Sequence, residues 1–254
     1  DRASAALPFG KYSVALNRTQ TGQIMKKIFF LALVLTAAVT AHSQTSERIT
    51  VHAGESLAVA FQPTGFFRFP QFSEGIFQMK DGKRAKVLAN YNIATGEILY
   101  IKSSGDTLAV GVPEEIDHVL IAGTTEFIYN NKDYLEILTE AQDIKLAKKI
   151  KVKIEKDKKG GYGESAPTSS QDQLQNFSWG TQLWQLGHDV IVNKTTSYYW
   201  VDKKNNPQPA TKKNLLKQVS KDKQGKLETF MVQNNTNFNN EDDLRKLLTY
   251  AGTL

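Results

Sequence analysis

Between residues 49 and 138 the apolar positions come in short alternating runs broken by turn residues, the period of a half-buried strand rather than of a helix. Ile49, Val51 and Ala53 alternate with Thr50 and His52, and Leu57, Val59 and Phe61 alternate with Ala58 and Ala60. Asp81-Gly82 stands between runs at 76–79 and 86–91, and an Asp-Gly pair tolerates the positive φ angles of a tight hairpin turn. Ser103-Ser104-Gly105-Asp106 separates 97–101 from 107–110, and Asn130-Asn131 separates 127–129 from 134–138. Turns about every ten residues predict an antiparallel meander that closes into a roll, a sandwich or a partly closed barrel.

Further along, Lys149, Lys151 and Lys153 alternate with Ile150, Val152 and Ile154. The pattern predicts a late strand whose lysine face resists edge-to-edge pairing. Leu146, Ile150 and Ile154 also fit a period near four, so a lysine-rich helix over 143–159 competes for the same residues. The stretch 160–173, with Gly160-Gly161-Tyr162-Gly163 and Ala166-Pro167, reads as a linker. Beyond it lies a smaller region, 174–254. Tyr198-Tyr199-Trp200-Val201 reads as a strand that Asn205-Asn206-Pro207 breaks, and the tail turns helical at 215–219 and 227–232. A last helix is marked by a cap at Asn239 or Asn240, acids Glu241 to Asp243 in its first turn, an apolar face of Leu244, Leu247 and Leu248, and Gly252 as its stop. The expected class is therefore mainly β with a helical C-terminal part, α+β.

The residues before 44 follow a different logic. Met25-Lys26-Lys27 is a short cationic start, 28–39 is apolar, and Ala41 and Ser43 are small residues three and one positions before Gln44. This is the pattern of a secretory signal peptide over 25–43, with a mature chain opening at Gln44. The apolar run is too short to span a bilayer as a helix, which takes about 20 residues. Residues 1–24 read as an upstream extension, and the mature region 44–159 as an antiparallel β domain. With no transmembrane segment left after cleavage, the destinations are the periplasm, the outer-membrane surface or the medium.

Composition narrows the chemistry. The chain has no cysteine, which excludes thiol catalysis, disulfides, cysteine-built zinc or iron–sulfur sites and an N-terminal lipid on the mature chain. The net charge of +6 falls to +2 once the five basic residues and one acid before Gln44 are set aside, so nucleic acid is not an expected partner. Residues 145–159 and 202–226 each hold eight lysines and two acids, leaving a net charge of −10 on the rest of the mature chain. The two basic stretches face solvent, attract the acidic remainder within the molecule, or meet an anionic partner. They contain lysine without arginine, whereas bidentate phosphate recognition usually uses arginine.

No motif selects a catalytic site. His52, His118 and His188 are each alone in sequence, and Gly163-Glu164-Ser165-Ala166-Pro167 lacks the second glycine of a nucleophile elbow. Glu114, Glu115, Asp117 and His118 form the densest titratable cluster, in a turn set by Pro113. No cofactor is expected. Phe67, Phe69 and Phe72, with Trp179, Trp184, Tyr199 and Trp200, supply either a core or an aromatic ligand platform.

In order along the chain stand Phe69-Pro70-Gln71-Phe72, Asn90-Tyr91-Asn92, Gly96-Glu97 and Gly105-Asp106-Thr107-Leu108. Gly161-Tyr162-Gly163 and a lysine- and leucine-rich tail follow. This order resembles a family of uncharacterised secreted proteins of Bacteroidota. The resemblance implies export and assigns no residue a catalytic role. The expected function is a noncatalytic binding or interaction module of the bacterial envelope, with a glycan, a lipid or a protein as partner. The alternatives are a carboxylate-dependent hydrolase of envelope or extracellular polymers and a structural envelope component.

Overall fold

The computed structural model describes residues 44–156 and 188–254, which fall within one compact unit, His42–Leu254. The eleven strands among them are β1 (Gln44–Val51), β2 (Ser73–Met79), β3 (Arg84–Asn92), β4 (Glu97–Ile101), β5 (Thr107–Ala109), β6 (Ile116–Ile121), β7 (Thr125–Asn130), β8 (Asp133–Ala141), β9 (Ile144–Lys156), β10 (Val190–Asp202) and β11 (Pro207–Pro209). They form one antiparallel sheet in the order β1-β10-β9-β8-β7-β6-β2-β3-β4-β5, with β11 added to β10. Three helices complete the α+β fold: α1 (Lys212–Gln218), α2 (Lys221–Gln233) and α3 (Glu241–Thr253).

The hairpin turns sit where turn chemistry put them. Gly82 and Gly105 adopt φ of 90° and 91°, and Asn131 adopts 57°, left-handed values that glycine tolerates and asparagine accepts more readily than other side chains. The competition over 143–159 resolves as a strand: β9 runs to Lys156 and pairs along its whole length with β10, from Ile144↔Asp202 to Lys156↔Val190. It is an interior strand, flanked by β8 and β10, so its lysines do not guard an edge. Several meet carboxylates instead: Lys145 pairs with Glu126 at 2.8 Å and Lys149 with Asp133 at 2.9 Å.

Three expectations need correction. Residues 57–61 form a 3-10 turn, not a strand. Ser56 caps it by accepting the Ala58 N–H at 3.3 Å, and a three-residue turn places Leu57 and Ala60 on the buried side while Val59 stays exposed. The last helix does not stop at Gly252 but includes it. A Cβ there would lie 2.9 Å from that of Ala141, so the glycine permits close docking on β8. Third, the segments before and after the expected linker share one sheet, because β10 lies between β1 and β9 and pairs with both. The linker 160–173 and the leader 25–43 lie outside the described residues.

The core has two main parts. Leu244, Leu247, Leu248 and Ala251 of α3 pack with Leu215, Leu227, Ile144, Leu146 and Trp200, which gives the short helices the tertiary support they lack alone. A second cluster gathers Phe77, Ala89, Tyr91, Ile98, Val119 and Phe127 on β2, β3, β4, β6 and β7. Gly75 allows β2 and β3 to close here, since a Cβ on it would meet Ala89 at 2.7 Å.

Candidate binding cleft and open sheet edge

Cross-strand register assembles a concave apolar surface at the far end of the sheet. Phe77 faces Ala85 across β2 and β3, and Val119 across β2 and β6. A register shift at Gln78/Met79 sets Met79 opposite Ile116, the re-aiming that a β-bulge produces. Tyr100 of β4 meets Phe77 edge-on, centroids 6.5 Å apart. Beyond β5 the chain passes through Val110-Gly111-Val112 into a 3-10 turn, Pro113–Glu115, whose proline fixes the first φ. These residues enclose a cleft of about 310 Å³ lined by Phe77, Met79, Ala85, Val87, Tyr100, Val110, Gly111, Val112, Glu115 and Ile116. Its lining is apolar apart from the Tyr100 hydroxyl, Glu115 and the backbone.

The cleft adjoins the end of the sheet. On either side of β5 the Asp106 carbonyl accepts the Lys102 N–H at 2.9 Å, and the Val110 N–H donates to the Ile98 carbonyl at 3.3 Å. Alternation along an antiparallel ladder then turns the N–H and C=O groups of Thr107 and Ala109 away from β4. No strand pairs with them among the described residues. All three residues of β5 are exposed. The opposite end differs: β1 carries Glu47 and Arg48, and Glu47 pairs with Lys194 of β10 at 2.8 Å.

The aromatic residues singled out from sequence are distributed over several clusters. Phe67 and Phe72 meet edge-on at 5.4 Å, and Phe69 packs against the Phe77 cluster beneath the Arg68 guanidinium, 5.4 Å from its ring. Trp200 is 0 % exposed, and its indole N–H donates to the Thr211 carbonyl at 3.1 Å. Tyr199, its neighbour on β10, belongs to another cluster, with Ile128, Leu135 and Ala147, and Lys149 lies 5.8 Å from its ring centroid. Trp179 and Trp184 lie outside the described residues. Alternation along β10 explains the separation of Tyr199 from Trp200, since successive side chains point to opposite faces.

Asn90-Tyr91-Asn92 performs local work. The Asn90 amide donates to the carbonyls of Phe69 and Gln71 and accepts the Phe69 N–H, fixing the 69–71 segment. Tyr91 stacks on Phe127 at 5.0 Å, and burial pushes its phenol pKa up. Asn92 caps the turn into β4 by accepting the N–H groups of Ala94 and Thr95.

The charged groups are mostly engaged as braces. Arg68 donates twice to Glu136, at 2.9 and 3.0 Å. Lys148 lies 3.6 Å from Glu136 and 3.4 Å from Glu241, and Arg245 donates to Glu241 at 2.7 Å and to the Leu138 carbonyl. Burial raises the Glu241 pKa, but Arg245 and Lys148 outweigh it and hold the carboxyl below its ordinary value. This alternating chain fastens α3 to β8 and β9. Elsewhere His52 Nδ1 lies 3.4 Å from Asp189, and His118 Nδ1 lies 2.8 Å from Asp117. No three of His, Asp and Glu converge as a metal site among the described residues. A second concavity, about 460 Å³ between α1 and α2, is walled by Lys212, Lys213 and Lys217 around Leu216, with Lys212 paired to Glu228 at 2.8 Å.

The cleft-lining side chains escaped sequence reasoning even though their strands did not. Alternation marks 76–79 and 86–91 as strands, yet it cannot say which surface stays uncovered. The uncharged run from Thr107 to Pro113 was the available signal. Comparison with protein-family models, curated proteins and solved structures gave no match.

Proposed function

We propose that the protein is an exported, noncatalytic binding or interaction module, and that its ligand places an apolar group in the cleft between β2, β3, β4 and the segment after β5. The supporting observation is the cleft itself. It is an apolar concavity of about 310 Å³ whose lining includes Val112, 53 % exposed; Leu108, 39 % exposed, lies opposite its Tyr100. Concave, mostly apolar surfaces with a few polar groups are the usual form of a ligand site, and adjoining exposed apolar residues extend the contact surface. Export rests on the leader-like sequence before Gln44, and the bacterial envelope is the setting in which a glycan, a lipid or a protein would be met. No helix among the described residues is long and apolar enough to cross a membrane.

Nile red, a neutral apolar dye, tests the cleft. Ala85 is exposed on β3 and lines the cleft, so Ala85→Trp fills it from the strand surface without disturbing the buried core. The expected result is dye binding by the parent chain and its loss in Ala85→Trp, with unchanged circular dichroism. Equal binding by both proteins overturns the assignment.

A further inference from the structure

The cleft and the sheet edge are continuous, because Val110, Gly111 and Val112 both follow β5 and line the cleft. We propose that β5 accepts an added antiparallel or parallel strand from a partner polypeptide, an extended peptide with apolar residues at alternate positions and a basic residue at the end nearest Glu115. This rests on the reading of the cleft as a binding site and adds the chemistry of its occupant.

Three observations specify that chemistry. The first is the backbone: Thr107 and Ala109 present N–H and C=O groups two residues apart with no partner strand among the described residues. That spacing is met by another extended chain and is the basis of strand addition. The second is the absence of a guard. Between Asp106 and Glu114 the sequence Thr-Leu-Ala-Val-Gly-Val-Pro has no charge, whereas natural edges are normally blunted by charged side chains, as β1 is by Glu47 and Arg48. Pro113 lies past the strand and leaves the outward groups of Thr107 and Ala109 free to pair.

The third is charge complementarity. Glu114, Glu115 and Asp117 follow the edge within a few residues, and Glu115 lines the cleft. Glu114 accepts a hydrogen bond from the Tyr129 hydroxyl at 3.4 Å and Asp117 meets His118. The Glu115 side chain is in no ion pair among the described residues, and Lys80 reaches Glu115 only through its backbone N–H, 2.9 Å from the Glu115 carbonyl. The rim thus favours a cation beside an apolar anchor and repels an acidic segment. In an added strand, alternate side chains fall on the face that carries Tyr100 and its cross-strand partner Leu108, so one apolar side chain packs beside Leu108 on the cleft face while the next points away.

The probe is the capped hexapeptide Lys-Thr-Val-Thr-Val-Lys, which presents a lysine to the rim in either strand direction. Its comparators are Glu-Thr-Val-Thr-Val-Glu and a version of the lysine peptide N-methylated at alternate residues. With the isotope-labelled full chain, amide NMR and hydrogen exchange are followed during titration. Binding should protect the Thr107 and Ala109 amides. N-methylation leaves the protein untouched and removes strand hydrogen bonds, each of modest net value, so affinity should drop by about threefold to tenfold. Glu115→Lys should weaken the basic peptide by about threefold and favour the acidic one, the modest effect of a rim charge. Ala109→Pro should abolish amide protection while Nile red still binds.

Peptide binding that perturbs the cleft but is indifferent to N-methylation and to Ala109→Pro overturns strand addition and leaves the cleft assignment standing. Equal affinity for the acidic peptide overturns the basic partner. Concentration-dependent self-association abolished by Ala109→Pro assigns the edge to a second copy and overturns the heterologous peptide. Failure of both peptide and Nile red overturns this proposal and the cleft reading together.

Discussion

Two glycines in helices show how a residue's meaning depends on what lies beyond its own element. Gly225 is exposed within α2, and a Cβ there meets nothing within 4 Å. Gly225→Ala should therefore stabilise the protein by about 0.5–1 kcal/mol through helix propensity alone. Gly252 also sits in a helix, but an added Cβ would be 2.9 Å from the Ala141 Cβ. Gly252→Ala should destabilise by about 1–3 kcal/mol, the cost of overpacking. Urea unfolding of the two variants checks the opposite signs. Glu136 makes a related case: at 6 % exposure it accepts both Arg68 bonds and lies near Lys148. Glu136→Leu leaves those cations facing an apolar group and should cost about 2–3 kcal/mol in the same assay. This is less than breaking a fully buried pair because Arg68 keeps 37 % of its side chain in solvent.

Among the elements, α3 is held by two kinds of force with different pH behaviour. Its leucines bury against the sheet at any pH, whereas Glu241 contributes only when ionised. Because Arg245 and Lys148 hold its folded pKa below the ordinary carboxyl value, the native state binds fewer protons than the unfolded chain as pH falls through that range. The stabilisation is complete above the ordinary value and disappears as pH falls through the lowered one. Glu241→Gln should consequently lower the urea midpoint at pH 7, and the difference from the parent should shrink toward zero in acid. A pH-independent difference overturns the electrostatic account. The helix itself was legible: Asn240 accepts the Asp243 N–H at 3.0 Å as its cap, and Leu244, Leu247 and Leu248 are buried. Its C-terminal end was not, because Gly252 answers to Ala141, more than a hundred residues earlier in the chain. Likewise Leu57, Val59 and Phe61 alternate as a strand would, but the Ser56 cap and burial of Ala60 impose a three-residue turn.

For the whole molecule the decisive strand is β10. It lies between β1 and β9 and joins them across a long sequence separation, and its Trp200 enters the core shared with all three helices. A fragment covering 44–159 lacks that strand, leaving β9 and β1 without their common partner. It should show no cooperative thermal transition, and adding a separately expressed 174–254 fragment should restore one. An independently folding 44–159 fragment would show that the long sheet is built from separable parts. The same topology puts β5 at the opposite end of the sheet from β1, which is why the cleft and the unguarded edge coincide there.

Side-chain period, turn chemistry and helix capping act over a few residues, so most of the strands between 73 and 156, the hairpins at Asp81-Gly82 and Asn130-Asn131, the terminal helix and the α+β class can be read from the order of amino acids alone. It did not determine the fate of Lys145, Lys148 and Lys149, whose carboxylate partners come from β7, α3 and β8. Nor did it separate Trp200, a core residue, from half-buried Tyr100, which lines a surface cleft. Tertiary structure decided those matters. Exposure, ion pairing and the position of a free edge depend on which distant strands become neighbours, and the free energy of that pairing is shared among segments that no short stretch of sequence contains.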